Sequence, residues 1–144
     1  MRVKQISVFL ENKPGSLAEF THLLQEKHID MVALSVAEAE DFGIARLLVN
    51  NVLECVNTLK DNGYVCSLTP VLTVEIEDKP GALVHVLDLL GQNGINLEYM
   101  YAFLTRKTDK AFMVLRVADN DQAIKILTEA GITPLCAEDI VKLF

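Results

Sequence analysis

"ENKPGSLAEFTHLLQEKHIDM" occupies residues 11–31, and "EDKPGALVHVLDLLGQNGINL" occupies residues 77–97. Aligned at a shift of 66, eight of these 21 positions are identical, among them Glu11/Glu77, Lys13/Lys79, Pro14/Pro80, Gly15/Gly81, Leu24/Leu90 and Ile29/Ile95. A single Pro-Gly pair marks only a turn. Two copies, each between an alternating apolar run and a helical one, mark a structural unit made twice.

Working outward, a shift of 68 pairs Val49 with Val117, Leu59 with Leu127 and Gly63 with Gly131, so the second copy is two residues longer, within 103–110 against 37–42. Ile6, Val8 and Leu10, and again Leu72, Val74 and Ile76, alternate as in a half-buried strand. Leu17, Phe20 and Leu24, and Leu83, Val86 and Leu90, then recur at helical spacing. Two strand-like runs follow in each copy, at 30–37 and 43–49 and at 96–104 and 110–117. A second helix then ends at Gly63 or Gly131, and a short strand is expected near 64–69 or 132–137. The order is β-α-β-β-α-β twice. It predicts an α+β chain of two ferredoxin-like repeats, residues 1–69 and 70–144, each an antiparallel sheet with its helices on one face. The other sheet face also reads as apolar, through Ile44, Leu48, Phe112 and Val114. A solvated face would be polar. This one is expected to meet a second chain or the other repeat.

Composition narrows the function classes. Hydrophobic residues make up 51% of the chain, enough for a packed core, and the net charge of −7 opposes binding to a phosphate backbone. RNA-recognition modules share the βαββαβ order but use a basic surface with strand aromatics. Tyr99, Tyr101 and Phe103 alternate on one sheet face, where they suit packing against a partner or contact with an apolar ligand, but the basic surface is missing. The opening "MRVKQISVFL" has no signal-peptide pattern and no membrane span is read, so a cytoplasmic protein is expected. Cys55, Cys66 and Cys136 are odd in number, lack a C-x-x-C pair and lie in apolar stretches, so they read as free thiols and not as metal ligands. His22, His28 and His85 form no recognisable relay, and Ser16 is matched by Ala82, so no catalytic set is read. No cofactor motif occurs.

The turn itself has chemistry available. Glycine lets backbone approach a ligand closely, proline sets the entry, and the first helical N–H groups lie at the positive end of the helix dipole. Gly15, Ser16 and Leu17, with Gly81, Ala82 and Leu83, are thereby candidates to hold a carboxylate. A plain strand-to-helix turn has the same residues.

The quoted pair resembles the ACT domain family, which has a D/N-x-P-G turn, an apolar helix and a G-I-N-hydrophobic step into the second strand. "GIN" stands at 94–96, and the first copy departs with "HID" at 28–30. The resemblance covers essentially the whole chain. It implies a non-catalytic regulatory protein that senses a small molecule, most often an amino acid, as a homodimer and with a metabolic enzyme as partner. The chain is expected to stand alone, with no enzyme fused to the two repeats. The alternative is a module without ligand that regulates an enzyme by docking.

In that family the turn of one domain works with the strand-two residue of its neighbour, both commonly Asn. Carried over, the turn positions are Asn12 and Asp78 and the strand-two positions are Asp30 and Asn96. If the repeats pair with each other, Asn12 joins Asn96 in a site that keeps the family pattern. Asp78 then joins Asp30 in a weaker one, because two carboxylates repel. If each repeat pairs with its equivalent in a second chain, both sites bind. Where some relatives place a histidine, Leu10 and Ile76 stand here, which mildly favours an apolar or aromatic ligand.

Overall fold

A computed structural model describes residues 3–103 and 109–143. The chain divides into two compact units, Lys4–Thr69 and Pro70–Phe144, with Val3 grouped with the latter. The first unit runs β1 (Val3–Glu11), α1 (Ser16–Glu26), β2 (Met31–Ala39), β3 (Phe42–Val49) and α2 (Val52–Asp61), and ends in the start of β4 (Cys66–Glu77). The second takes the rest of β4, then α3 (Ala82–Gln92), β5 (Leu97–Phe103), β6 (Lys110–Val117), α4 (Asn120–Glu129) and α5 (Ala137–Val141). Both are antiparallel: β3 lies between β2 and β1 in the first, and β6 between β5 and β4 in the second.

The alternation of β1 sends Ile6, Val8 and Leu10 toward the helices, where they meet Phe20 and Leu24 of α1 and Cys55 and Leu59 of α2. The second core repeats this with Leu72 and Val74, Val86 and Leu90, and Ala123 and Leu127. Caps start the second helix of each unit: the Asn51 side chain accepts from the Glu54 N–H at 3.1 Å, and that of Asp119 from the Gln122 N–H at 3.0 Å. The first helices stop alike. The Ile29 N–H reaches back to the Leu24 carbonyl at 3.0 Å and the Ile95 N–H to Leu90 at 2.9 Å, through a left-handed residue in each case, His28 (φ +55°) or Gly94 (φ +72°). The "HID" departure therefore keeps the backbone of "GIN". A bulge recurs at the same place too, between Met31 and Ala33 and between Leu97 and Tyr99.

One expectation changes. The strand expected at 132–137 is not formed. Pro134 has no N–H to give a ladder, and the segment makes one pair of bonds to β4: the Leu135 N–H to the Thr73 carbonyl at 2.8 Å, and the Thr73 hydroxyl to the Leu135 carbonyl at 3.2 Å. Asp139 then accepts from the Cys136 N–H at 3.0 Å and opens α5. In the first unit, without such a proline at this point, the Phe9 N–H reaches the Val65 carbonyl at 3.0 Å and the strand runs on through Pro70 into the second unit as β4. The outer apolar set is covered, as expected of a face that meets another surface. Leu48, Phe112 and Val114 are 2%, 1% and 0% exposed, so they are covered within the chain and offer no free surface; Ile44 is half-buried. Phe103 of the aromatic row packs on Phe112 with ring centroids 5.4 Å apart. The length difference between the repeats, expected within 103–110 against 37–42, falls largely on residues outside those described.

Candidate functional site

The two Pro-Gly turns fold almost identically. Gly15 and Gly81 cap their helices at φ +88° and +89°, a region closed to most side chains, and no atom lies within 4 Å of where a Cβ would stand. Lys13 and Lys79 pair with Glu11 and Glu77 at 2.7 and 2.5 Å. These bonds hold both carboxyls below the usual carboxylate range. The Ser16 and Ala82 N–H groups turn back to the Lys13 and Lys79 carbonyls, each at 3.3 Å. The next amides, those of Leu17 and Ala18 and of Leu83 and Val84, have no acceptor within a helix and point out of its start.

Asn12 has a role that its sequence position did not reveal. Its N–H donates to the Asp41 carbonyl at 3.0 Å, and its Nδ2 donates to the Glu40 carbonyl at 2.9 Å and to Glu38 Oε2 at 3.4 Å. It thereby ties the turn to the β2–β3 hairpin, where Glu40 is left-handed at φ +49°. Asp78 keeps the backbone bond, to the Asp109 carbonyl at 3.0 Å, but a carboxylate has no N–H for the second. At the other end of the unit, the Asp30 N–H donates to Asn50 Oδ1 at 3.0 Å and its carbonyl accepts from the Asn50 N–H at 3.1 Å. Asn96 is exposed at the entry to β5.

Within one unit these positions do not meet. β3 pairs Phe42 with Glu11 and Val49 with Met31, so Asn12 and Asp30 stand a strand length apart, about 23 Å at the usual rise. β6 separates Asp78 from Asn96 in the same way, pairing Lys110 with Glu77 and Val117 with Leu97. A site that joins a turn to a strand-two residue therefore needs a second domain.

One unit by itself does form a cleft. A groove of about 850 Å³ runs from the first turn along α1, between that helix and the segment Asn62–Val65. Gly15 and Ser16 stand at one end, and Glu19, His22 and Glu26 follow along the wall. Tyr64 lies across the groove, its ring edge-on to buried Phe20 at 5.9 Å. Burial, and then the charge of Glu19, push the Tyr64 phenol up. The wall residues were legible as one helical face (spacing of three and four) but carried no motif, and Tyr64 is distant in sequence.

The thiols lie apart from this groove's lining. Burial, with the nearby Cys66 thiol second, pushes Cys55 up to about 11 from its ordinary 9.0. Below pH 9 both native and unfolded thiols hold their proton. Between 9 and about 11 the unfolded chain releases a proton that the native state keeps, so this contribution to stability is lost as pH rises through that window. Urea titrations at pH 8, 9.5 and 11 should show falling midpoints, with a smaller fall in Cys55→Ala. Equal falls in both proteins would refute the assignment.

The family model described as an ACT domain pair matches residues 1–144. A solved structure from Bacteroides thetaiotaomicron is 39% identical, covers 99% of this chain and 98% of its own, and superposes with a TM-score of 0.92. The regulatory subunits of aspartate kinase from Thermus thermophilus and Thermus flavus share the fold at 16% identity. Their TM-scores are 0.66 and 0.62, covering 88% and 89% of this chain and 91% and 92% of theirs. No curated protein matches the chain.

Proposed function

We propose, from the premise that this chain belongs to the ACT domain pair family, that it is a regulatory module without catalysis that binds an amino acid at the strand-to-helix turn of its first repeat. The observation that carries the reading is the left-handed Gly15 turn opening directly into the groove along α1. The Leu17 and Ala18 amides offer an anion-binding end, and the groove is of a size that suits small ligands. Asn12, Gly15 and Ser16 shape the turn in this reading, Leu17 supplies an amide, and Asn96 or Asp30 of a neighbouring domain completes the site. Asp78, Gly81, Ala82 and Leu83 form the counterpart, weakened by the carboxylate of Asp78.

The regulated partner is read as a metabolic enzyme, by analogy with the kinase regulatory subunits that share the fold. Self-association is part of the same reading. β2 lies at a sheet edge and carries exposed Leu34 and Val36, a surface that favours pairing. Among the described residues no helix is long and apolar enough to cross a membrane.

Thermal unfolding against each of the twenty amino acids tests the proposal. A ligand that binds only the native state must raise the midpoint in proportion to the logarithm of its concentration. At least one amino acid should do so. Flat midpoints across the whole panel would overturn the reading in favour of a module that acts by docking alone.

A further inference from the structure

The β2–β3 hairpin turns through Glu40 and Asp41 alone, since Ala39 pairs with Phe42 across them. Two-residue turns of this kind need a positive φ, which glycine or asparagine supplies. Neither stands here. Glu40 takes the left-handed place itself, at φ +49°, in a region that an ordinary long side chain seldom enters. His28, also left-handed, closes a helix in the usual way. Glu40 has no such local reason, so its conformation is set from outside the hairpin.

The outside hold is Asn12, 28 positions away in sequence. Its backbone N–H donates to the Asp41 carbonyl at 3.0 Å and its Nδ2 to the Glu40 carbonyl at 2.9 Å, so one residue takes both carbonyls of the turn. A weaker contact runs from Nδ2 to Glu38 Oε2 at 3.4 Å. The side-chain bonds need an amide. In the second repeat Asp78 keeps the backbone bond, to the Asp109 carbonyl at 3.0 Å, but a carboxylate has no hydrogen to give. Asn12 is also the residue that opens the Pro-Gly turn. The Lys13 carbonyl after it accepts from the Ser16 N–H at 3.3 Å, and the chain then enters α1 through Gly15. One residue thus belongs both to the turn before α1 and to the closure of the hairpin.

We propose that Asn12 is a latch: its side-chain amide holds the tip of the β2–β3 hairpin shut, and loss of that amide lets Glu40 leave the left-handed region and the tip open. Asn12 is in this role a positioning residue, acting on the hairpin through the Glu40 carbonyl. The latch deepens the proposed function, because it links the turn read as the binding end to the hairpin tip. It stands or falls without any ligand.

Hydrogen exchange over residues 38–43 of the whole chain tests the inference. Asn12→Ala should speed exchange there by roughly tenfold, the ratio of about one net hydrogen bond, and leave the amides of α2 as in the parent. Asn12→Asp should do at least as much, since it sets a carboxylate against the Glu40 carbonyl and the Glu38 carboxylate. Cleavage after Glu40 by a glutamate-specific endopeptidase should accelerate in both variants, because cleavage follows the open population. Adding Glu40→Gly to Asn12→Ala should restore slow exchange, since glycine takes a positive φ unaided. A purely structural loss at Asn12 would not be repaired in this way. Asp78→Ala should leave residues 38–43 unchanged. Exchange at 38–43 that stays at the parent rate in both Asn12 variants, that rises equally in α2, or that Glu40→Gly fails to slow would overturn the latch and leave the proposed function standing. Flat midpoints in the amino-acid panel would remove the proposed function and leave the latch.

Discussion

Gly15→Val is expected to lower native stability by about 1–3 kcal/mol, the cost of holding a β-branched residue in the left-handed region, and to weaken amino-acid binding by roughly tenfold or more. A Cβ at this position meets nothing beyond its chain neighbours within 4 Å. The cost is therefore conformational. Relief of the strain requires φ to leave +88°, which rotates the peptide that aims the Leu17 and Ala18 amides. Gly15→Asn separates the effects, because asparagine tolerates this region. It should retain most of the stability and most of the binding. Urea titration and calorimetry on both variants and on Gly81→Val decide the matter. If both Gly15 variants bind as the parent does, the turn is not the site. If Gly81→Val alone loses binding, the site is in the other repeat.

The largest stability loss is expected at Phe20. It is wholly buried, meets Tyr64 edge-on, and is among the largest of the fully buried side chains. Phe20→Ala should cost about 3–5 kcal/mol, the lost transfer energy plus the cavity left behind. Val86 holds the equivalent place in the second repeat and is 1% exposed. Val86→Ala should cost only about 1.5–3 kcal/mol, because fewer methyl groups leave the core. Denaturant midpoints compare the two. A smaller loss at Phe20 than at Val86 would mean that the first core closes over the gap. Because Tyr64 forms one side of the groove, Phe20→Ala should also weaken ligand binding. Val86→Ala provides the control for general loosening.

Much of this molecule can be read along the chain because local periodicity records which face of each element is buried. Val8 and Leu10 on one side of β1, and Phe20 and Leu24 on one stripe of α1, required a sheet with helices on one face. The repeated Pro-Gly pair required two such units, and the left-handed geometry at Gly15 and Gly81 agrees with the residue type. Even the missing last strand had a local cause in view, since Pro134 withholds its donor and Cys136 and Asp139 begin a helix. Other features depend on residues far apart in sequence. The side-chain amide of Asn12 is committed to Glu40 because β1 and the β2–β3 hairpin end side by side, 28 positions apart in the chain. Leu48, Phe112 and Val114 read as a face that meets either a second chain or the rest of this one, because alternation says which side a residue points to and not what covers it. The groove is the clearest case. Glu19 and Glu26 read as ordinary exposed charges on a helix until the end of α2 brings Tyr64 opposite them. Sequence alone determined the units and their turns, because those follow from neighbours one helical turn or one strand step away. Only the tertiary structure decided what faces the turn, because that depends on which distant backbone the core packs beside it.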